Sequence, residues 1–157
     1  MWVRSAAKAD INALSALLEE TVHATYDDLW GVAKTQEFID LEYNTSVLEK
    51  CLARPYSEYV VVDGGQGPVG AGFAVQSTKD LVVIEQLYIC PAYQRQGFGK
   101  SLLREILESF PEVHHFQVML PRKNRCLHFF NHFGFFVIKD EATQDVVILE
   151  KVLEEVE

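Results

Sequence analysis

The stretch QRQGFGK, residues 94–100, constrains this chain more than any other. Two glycines one residue apart stand between an apolar run, LVVIEQLYI (81–89), and a segment in which Leu102, Leu103, Ile106, Leu107 and Phe110 recur at helical spacing. The first run is rich in β-branched residues and reads as the strongest strand of the chain. The second reads as a helix, with Pro111 just beyond it. A glycine pair at such a junction has two readings. One is a tight turn, because glycine tolerates backbone angles that other residues avoid. The other is a cradle for an anion. The first amides of a helix have no partner inside it, the helix dipole adds partial positive charge there, and together they bind phosphate. Gly97 and Gly99 would let the backbone approach closely where a Cβ obstructs, while Gln94, Arg95 and Lys100 add donors or charge. The pattern lacks the four-residue gap and the lysine-serine or lysine-threonine ending of a Walker loop. It also lacks the third glycine and second βαβ unit of a dinucleotide fold.

Other segments supply the context. WVR (2–4) is a short strand candidate, and Ile11, Leu14, Leu17, Leu18 and Val22 form one apolar helical stripe. HATYDDLWGVA (23–33) has no clear period and reads as a loop or a broken helix. KTQEFIDLEYN and SVLEKCLA predict one or two further short helices, ended by Pro55. YVVV (59–62) and PVGAGFAVQ (68–76) form a hairpin around DGGQG. HFQVML is a strand, and Cys126, Phe129, Phe130 and Phe133 mark a helix that Gly134 stops. FFVI and VVILEKVL close the chain as an antiparallel pair. The order predicts one domain over residues 1–157, of α/β (α+β) class. Its sheet of about six to seven strands would be mixed, mostly antiparallel, and flanked by about four helices.

A net charge of −9 argues against a nucleic-acid partner and favours a cationic ligand. No apolar run is long enough to cross a bilayer, so no membrane role is expected. The N-terminus has no signal-peptide pattern, and Cys51, Cys90 and Cys126 are too few and scattered for a disulfide framework or a zinc site. A reducing cytoplasm is the expected compartment. His128 and His132 stand four apart on a helix, without an acid or third ligand at suitable spacing, so no metal is expected.

The run LYICPAYQRQGFGKSLLREIL resembles the acetyl-CoA-binding segment of the GNAT superfamily of N-acetyltransferases. That signature is Gln or Arg, two residues, Gly, one residue, then Gly or Ala, and Gln94, Gly97 and Gly99 fill it. CLHFFNHFGFFV resembles the family's closing helix, with its Gly-Phe ending at Gly134 and Phe135, so the likeness covers most of the chain. The resemblance implies the GNAT fold, acetyl-CoA as co-substrate, and a transferase acting on an amine. It places backbone groups of Leu87, Tyr88 and Ile89 along the pantetheine arm. It also places the amides of Arg95, Gln96, Gly97, Phe98, Gly99 and Lys100 around the pyrophosphate, with Asn124 and Phe130 beside the cofactor. The strands before and after the glycine helix are expected to splay apart and admit the thioester.

Acetyl transfer to an amine needs the amine deprotonated, the carbonyl oxygen stabilised and the thiolate released. Glu85 is the candidate base, acting directly or through a water, because burial inside an apolar strand would raise its pKa. The other reading is that strand alternation turns Glu85 to solvent. The backbone amide of Tyr88 or Leu87 is the candidate oxyanion donor. The sequence departs from the family where a tyrosine commonly protonates the thiolate: Phe130 has no proton to give. Lys123 occupies the place of the usual asparagine, and Asn124 follows it. Water, Tyr88, Cys126 or His132 could supply the proton, or the chain could bind the cofactor with little catalysis.

The segment HATYDDLWGVAKTQEFIDLEYN carries Tyr26, Asp27, Asp28, Trp30, Glu37, Asp40, Glu42 and Tyr43. Acids attract a cationic amine and aromatic faces stack on it. Tyr26, Asp28, Trp30 and Tyr43 are therefore the candidate acceptor contacts. The segment looks similar to bacterial family members that acetylate spermidine and spermine. An acidic helix face in solvent is the competing reading. The expected activity is acetylation of a small-molecule amine, polyamine-like, in a ternary complex, by a monomer or homodimer. The alternatives are a CoA-binding regulatory module and a protein or peptide N-acetyltransferase.

Overall fold

A strand, three helices, three strands, a helix, a strand, a helix and two strands follow one another in the computed structural model, which describes residues 1–141 and 143–154. They are β1 (Trp2–Ser5), α1 (Ile11–Trp30), α2 (Val32–Glu42), α3 (Thr45–Ala53), β2 (Ser57–Asp63), β3 (Pro68–Thr78) and β4 (Leu81–Ile89). Then come α4 (Phe98–Ser109), β5 (His115–Pro121), α5 (Cys126–His132), β6 (Phe136–Glu141) and β7 (Val146–Val152). Residue 142 and residues 155–157 of the expected domain lie outside the described residues.

The strands form one sheet in the order β1-β2-β3-β4-β5-β7-β6. All neighbours are antiparallel except β4 and β5, which α4 connects. A parallel pair needs a crossover, and α4 supplies it. Leu102, Leu103 and Ile106 of α4 pack on Val60, Val62, Ala74, Val82 and Ile84, together with Phe130 and Phe135. On the other face Leu14, Leu18, Val22, Ile39 and Leu48 of α1–α3 pack on Val61, Ala71, Phe73 and Val75. Gly72 of β3 admits α4 closely, since a Cβ there would stand 3.0 Å from the Ile106 Cδ1.

Of the two expectations for residues 23–33 the structure has the broken helix and not the loop: α1 continues through residues 23–30 to Trp30, and the break falls at Gly31, before α2 starts at Val32. Val22 and Tyr26 are buried, and Leu29 and Trp30 pack beside them, so the apolar stripe runs on through aromatic residues. That packing outweighs the modest helix propensity of His, Thr and Asp. Gly31, at φ +83°, ends the helix, and its amide reaches the Asp27 carbonyl.

The middle of the sheet opens by itself. Pairing of β4 with β5 runs from Leu81↔His115 to Ile84↔Val118 and stops, although both strands continue. On its other side β4 stays paired with β3, but the register shifts: Phe73 faces Gln86 and Ala74 faces Ile84. Glu85 is the extra residue of this bulge. A bulge bends its strand and ends pairing locally, so the seam between β4 and β5 opens where Glu85 sits.

Candidate active site

The open seam leads into a cavity of about 790 Å3. Helices α1–α3 wall it on one side, β4 and β5 form its floor, and the start of α5 closes its far end. The glycine turn lies at the end of β4. Gly97 is left-handed at φ 86°, and Arg95 is also left-handed at φ 62°. Successive turns of this kind point amides into one concavity. Among the described residues the amides of Arg95 through Lys100 meet no backbone acceptor, and the first loop-to-helix bond runs from Ser101 to the Gly97 carbonyl. A Cβ on Gly97 would meet nothing within 4 Å, so the turn faces open space. A Cβ on Gly99 would stand 3.2 Å from the Phe129 ring. The two glycines thus differ: one lets the loop turn, the other lets α5 lie against α4. Gln94 turns back and donates from Nε2 to the Ile89 carbonyl at 2.9 Å. That carbonyl points away from β3, and alternation gives Leu87 the same direction into the seam. Gln96 reaches the Ala92 carbonyl, Phe98 opens α4 half-buried against the core and Lys100 is exposed.

Glu85 lines the cavity, but its expected burial is corrected: the side chain is 40% exposed, and its carboxylate faces Arg54 Nη1 at 3.4 Å. The bulge is the cause. Glu85 and Gln86 share the face toward α1–α3, and the Gln86 side chain takes the buried place, accepting from the Tyr59 hydroxyl at 2.5 Å.

Tyr26, Trp30, Tyr43 and Tyr88 all line the cavity. Trp30 stacks on Tyr26 with ring centroids 4.1 Å apart, and Phe38 meets both rings edge-on. Tyr43 and Tyr88 join their hydroxyls at 3.1 Å. Asn124 is buried; its Nδ2 donates to the Tyr26 hydroxyl at 2.8 Å and its Oδ1 accepts from the Cys126 amide. Burial pushes the Tyr26, Tyr43 and Tyr88 hydroxyls well above the ordinary phenol range, and the Cys126 thiol up as well. Phe130 is buried against Phe129 and Phe135 and shows one edge to the cavity.

Asp28 does not join this group. Its side chain is 94% exposed, facing Arg125 from 3.9 Å. Asp27 holds His23, and Asp40 accepts from Gln36. Of the acids in the acceptor segment only Glu42 lines the cavity. Most of that acidity is a solvated helix face, because acids on successive helical positions cannot all share one side. His132, at the end of α5, packs edge-on against Phe133 away from the cavity. Lys34, Phe38, Cys51, Arg54 and Gln86 line the cavity without having been singled out in the sequence. The adjacent polar pair Glu85-Gln86 inside an apolar strand was the one signal that could have revealed the bulge.

The sequence model of the acetyltransferase (GNAT) family matches residues 18–135, and the chain belongs to that family. It is an N-acetyltransferase of this class. Among solved structures, the PaiA N-acetyltransferase from Thermoplasma acidophilum, determined in complex with coenzyme A, superposes with a TM-score of 0.91. The alignment has 18% identity and covers 97% of this chain and 98% of that one. Aminoglycoside 6'-acetyltransferase type Ii gives a TM-score of 0.70 at 11% identity over 100% of each chain. Ard1 from Thermoplasma volcanium gives 0.76 at 12% identity over 98% of each. At these identities the likeness speaks for the fold. No helix among the described residues is long and apolar enough to cross a membrane.

Proposed function

We propose that the chain, acting as one domain, transfers acetyl from acetyl-CoA to the primary amine of a small cationic molecule by direct attack in a ternary complex. One observation carries the reading. The unpartnered amides of Arg95–Lys100 and the open edge of β4 form a continuous track into an aromatic-walled cavity that holds Glu85. The amides would hold the pyrophosphate, and the Leu87 and Ile89 backbone would pair the pantetheine arm, as a strand does. Acetyl-CoA supplies the activated acyl group. The Leu87 amide, directed into the seam, stabilises the developing oxyanion in preference to the Tyr88 amide. Glu85 accepts the amine's proton, directly or through water. Trp30, Phe38 and Tyr43 present ring faces and edges to the acceptor, and Glu42 and Glu85 attract its charge.

A second reading is favoured by Lys34 and Arg54, which balance Glu42 and Glu85 on the lining. An acceptor that carries a carboxylate beside its amine would satisfy both signs, whereas a polyamine would meet two cations. Thiol release from acetyl-CoA, measured with spermidine, spermine, amino acids, aminoglycosides and peptide N-termini, decides between them. Fastest release with polyamines supports the first reading, and fastest release with amino acids the second. Release with peptides alone would overturn both.

A further inference from the structure

A base must present a free oxygen to the proton it takes, and Glu85 presents its oxygens to a cation. Arg54 Nη1 stands 3.5 Å from its Oε1 and 3.4 Å from its Oε2. A guanidinium there repels an incoming ammonium. The pair is nonetheless loose. The two side chains are 51% and 40% exposed, and a single nitrogen makes both contacts. A forked pair would use two nitrogens. Among the described residues the other nitrogens of Arg54 meet no acceptor. The backbone beneath is fixed. The Arg54 amide donates to the Cys51 carbonyl at the end of α3, and the Arg54 carbonyl accepts from the Ser57 hydroxyl at 2.6 Å. Only the side chain is left to move. Lys34 and Glu42, the other charged groups on the lining, stand eight residues apart on α2, about 12 Å along its axis, and offer no second close pair.

We infer that Arg54 selects the acceptor by exchanging partners: it releases Glu85 to an α-amino acid and keeps it from an amine that lacks a carboxylate. This rests on the proposed role of Glu85 as the proton acceptor. An α-amino acid carries its ammonium and its carboxylate on one carbon, and Arg54 and Glu85 stand side by side with the opposite signs. On binding, the guanidinium turns from Glu85 to the carboxylate of the acceptor, where two nitrogens can meet two oxygens. Glu85 is left to the ammonium, and no charge in the cavity loses a partner without gaining one. A polyamine offers Arg54 nothing in exchange and must set one cation beside another. Once released, Glu85 takes one proton from the ammonium. The freed lone pair forms the C–N bond, and the C–S bond breaks with its electron pair on sulfur. The surplus proton on nitrogen passes through water to the thiolate, leaving an amide and a thiol.

The probes are amino acids and the amines that remain when their carboxylate is removed: lysine with cadaverine, ornithine with putrescine, and phenylalanine with phenethylamine. Thiol release is measured with acetyl-CoA saturating. The wild-type protein should favour the amino acid of a pair by about tenfold or more in kcat/KM, the worth of one hydrogen bond to a charged group. Arg54→Leu should bring the two members within a few-fold of each other by opposite changes: KM rises for the amino acid and falls for the amine. The gain on the amine is a change that a merely damaged structure does not produce. Arg54→Lys keeps the charge without the fork, so it should keep the order of preference with a smaller margin. A wild-type preference for the amines, or a ratio that Arg54→Leu leaves unchanged, would overturn the inference and leave the proposed transfer standing. Release with no member of any pair would also overturn the inference. Absence of release with spermidine, spermine and the aminoglycosides as well would overturn the proposed function with it.

Discussion

Asn124 and Tyr26 meet across 98 positions of the chain, with Nδ2 donating to the phenolic oxygen at 2.8 Å. The same side chain accepts from the Cys126 amide at 2.7 Å, where α5 begins. One buried amide thus ties the last turns of α1 to the first turn of α5, at the far end of the cavity. Asn124→Ala removes both bonds and leaves a buried hydroxyl and a backbone amide short of partners. The expected cost is about 1–3 kcal/mol of stability, a melting temperature lower by about 2–12 °C. Tyr26→Phe strands only one donor and should cost less. Calorimetry on the two variants checks the order.

Gly97 and Gly99 predict two separate failures. Gly97→Asp forces a side chain into left-handed backbone and sets a negative charge where phosphate is proposed to sit. The protein should fold with a modest loss of about 1 kcal/mol, while stabilisation by acetyl-CoA disappears. Gly99→Val instead drives a branched side chain into Phe129, so it should lower the melting temperature in the absence of any ligand. A folded Gly97→Asp protein that acetyl-CoA still stabilises as it does wild type would remove the phosphate cradle.

These two glycines also show how far the sequence can be read. Strand-turn-helix order, the antiparallel hairpin and the terminal strand pair follow from local periodicity, and the strand LVVIEQLYI is bounded at the residues its apolar run marks. Periodicity missed the second half of α1, because Tyr26 and Trp30 carry the apolar stripe in place of aliphatic residues. It left Glu85 open between burial and solvent, because the outcome depends on the bulge opposite Phe73 and Ala74. Arg54 and Glu85 are 31 positions apart and meet only because α3 packs on β2 beside the opened strand. No local pattern encodes such a meeting. The tyrosine cluster is of the same kind: its members come from three elements, and nothing in their spacing joins them.

His23 gives a pH dependence with a defined sign. Its Nδ1 faces Asp27 at 2.6 Å and its Nε2 faces the Gln36 oxygen at 2.7 Å, so both ring nitrogens meet acceptors. The doubly protonated ring suits this site, and the Asp27 hydrogen bond is the largest cause that raises its pKa. The folded value lies above the unfolded one of about 6.5. Its contribution is therefore complete below about pH 6.5 and is lost as pH rises through the folded value. The clasp between α1 and α2 loosens in that window, beside Tyr26 and Trp30. His23 should titrate above 6.5 by NMR and fall toward it in Asp27→Asn. Titration at or below 6.5 in the wild-type protein would contradict the clasp.

Glu85 and Arg54 separate a catalytic role from a structural one. Both side chains are substantially exposed, and such a pair contributes about 0–1 kcal/mol at most. If the ion pair were the only purpose of Glu85, then Glu85→Gln and Arg54→Leu would change little beyond this margin. If Glu85 is the base, Glu85→Gln should lower turnover by about 10²-fold or more, the usual worth of a positioned base. The melting temperature and its increase with acetyl-CoA should stay as in wild type, because the amides of the glycine turn are untouched. Arg54→Leu should act differently. It frees the Glu85 carboxylate and removes one cation from the lining, so KM should fall for a purely cationic amine and rise for an acceptor with its own carboxylate. Steady-state kinetics of the two variants, with acetyl-CoA saturating, distinguish these outcomes. Turnover of Glu85→Gln within a few-fold of wild type would assign the proton to another acceptor and leave Glu85 as the residue that opens the seam.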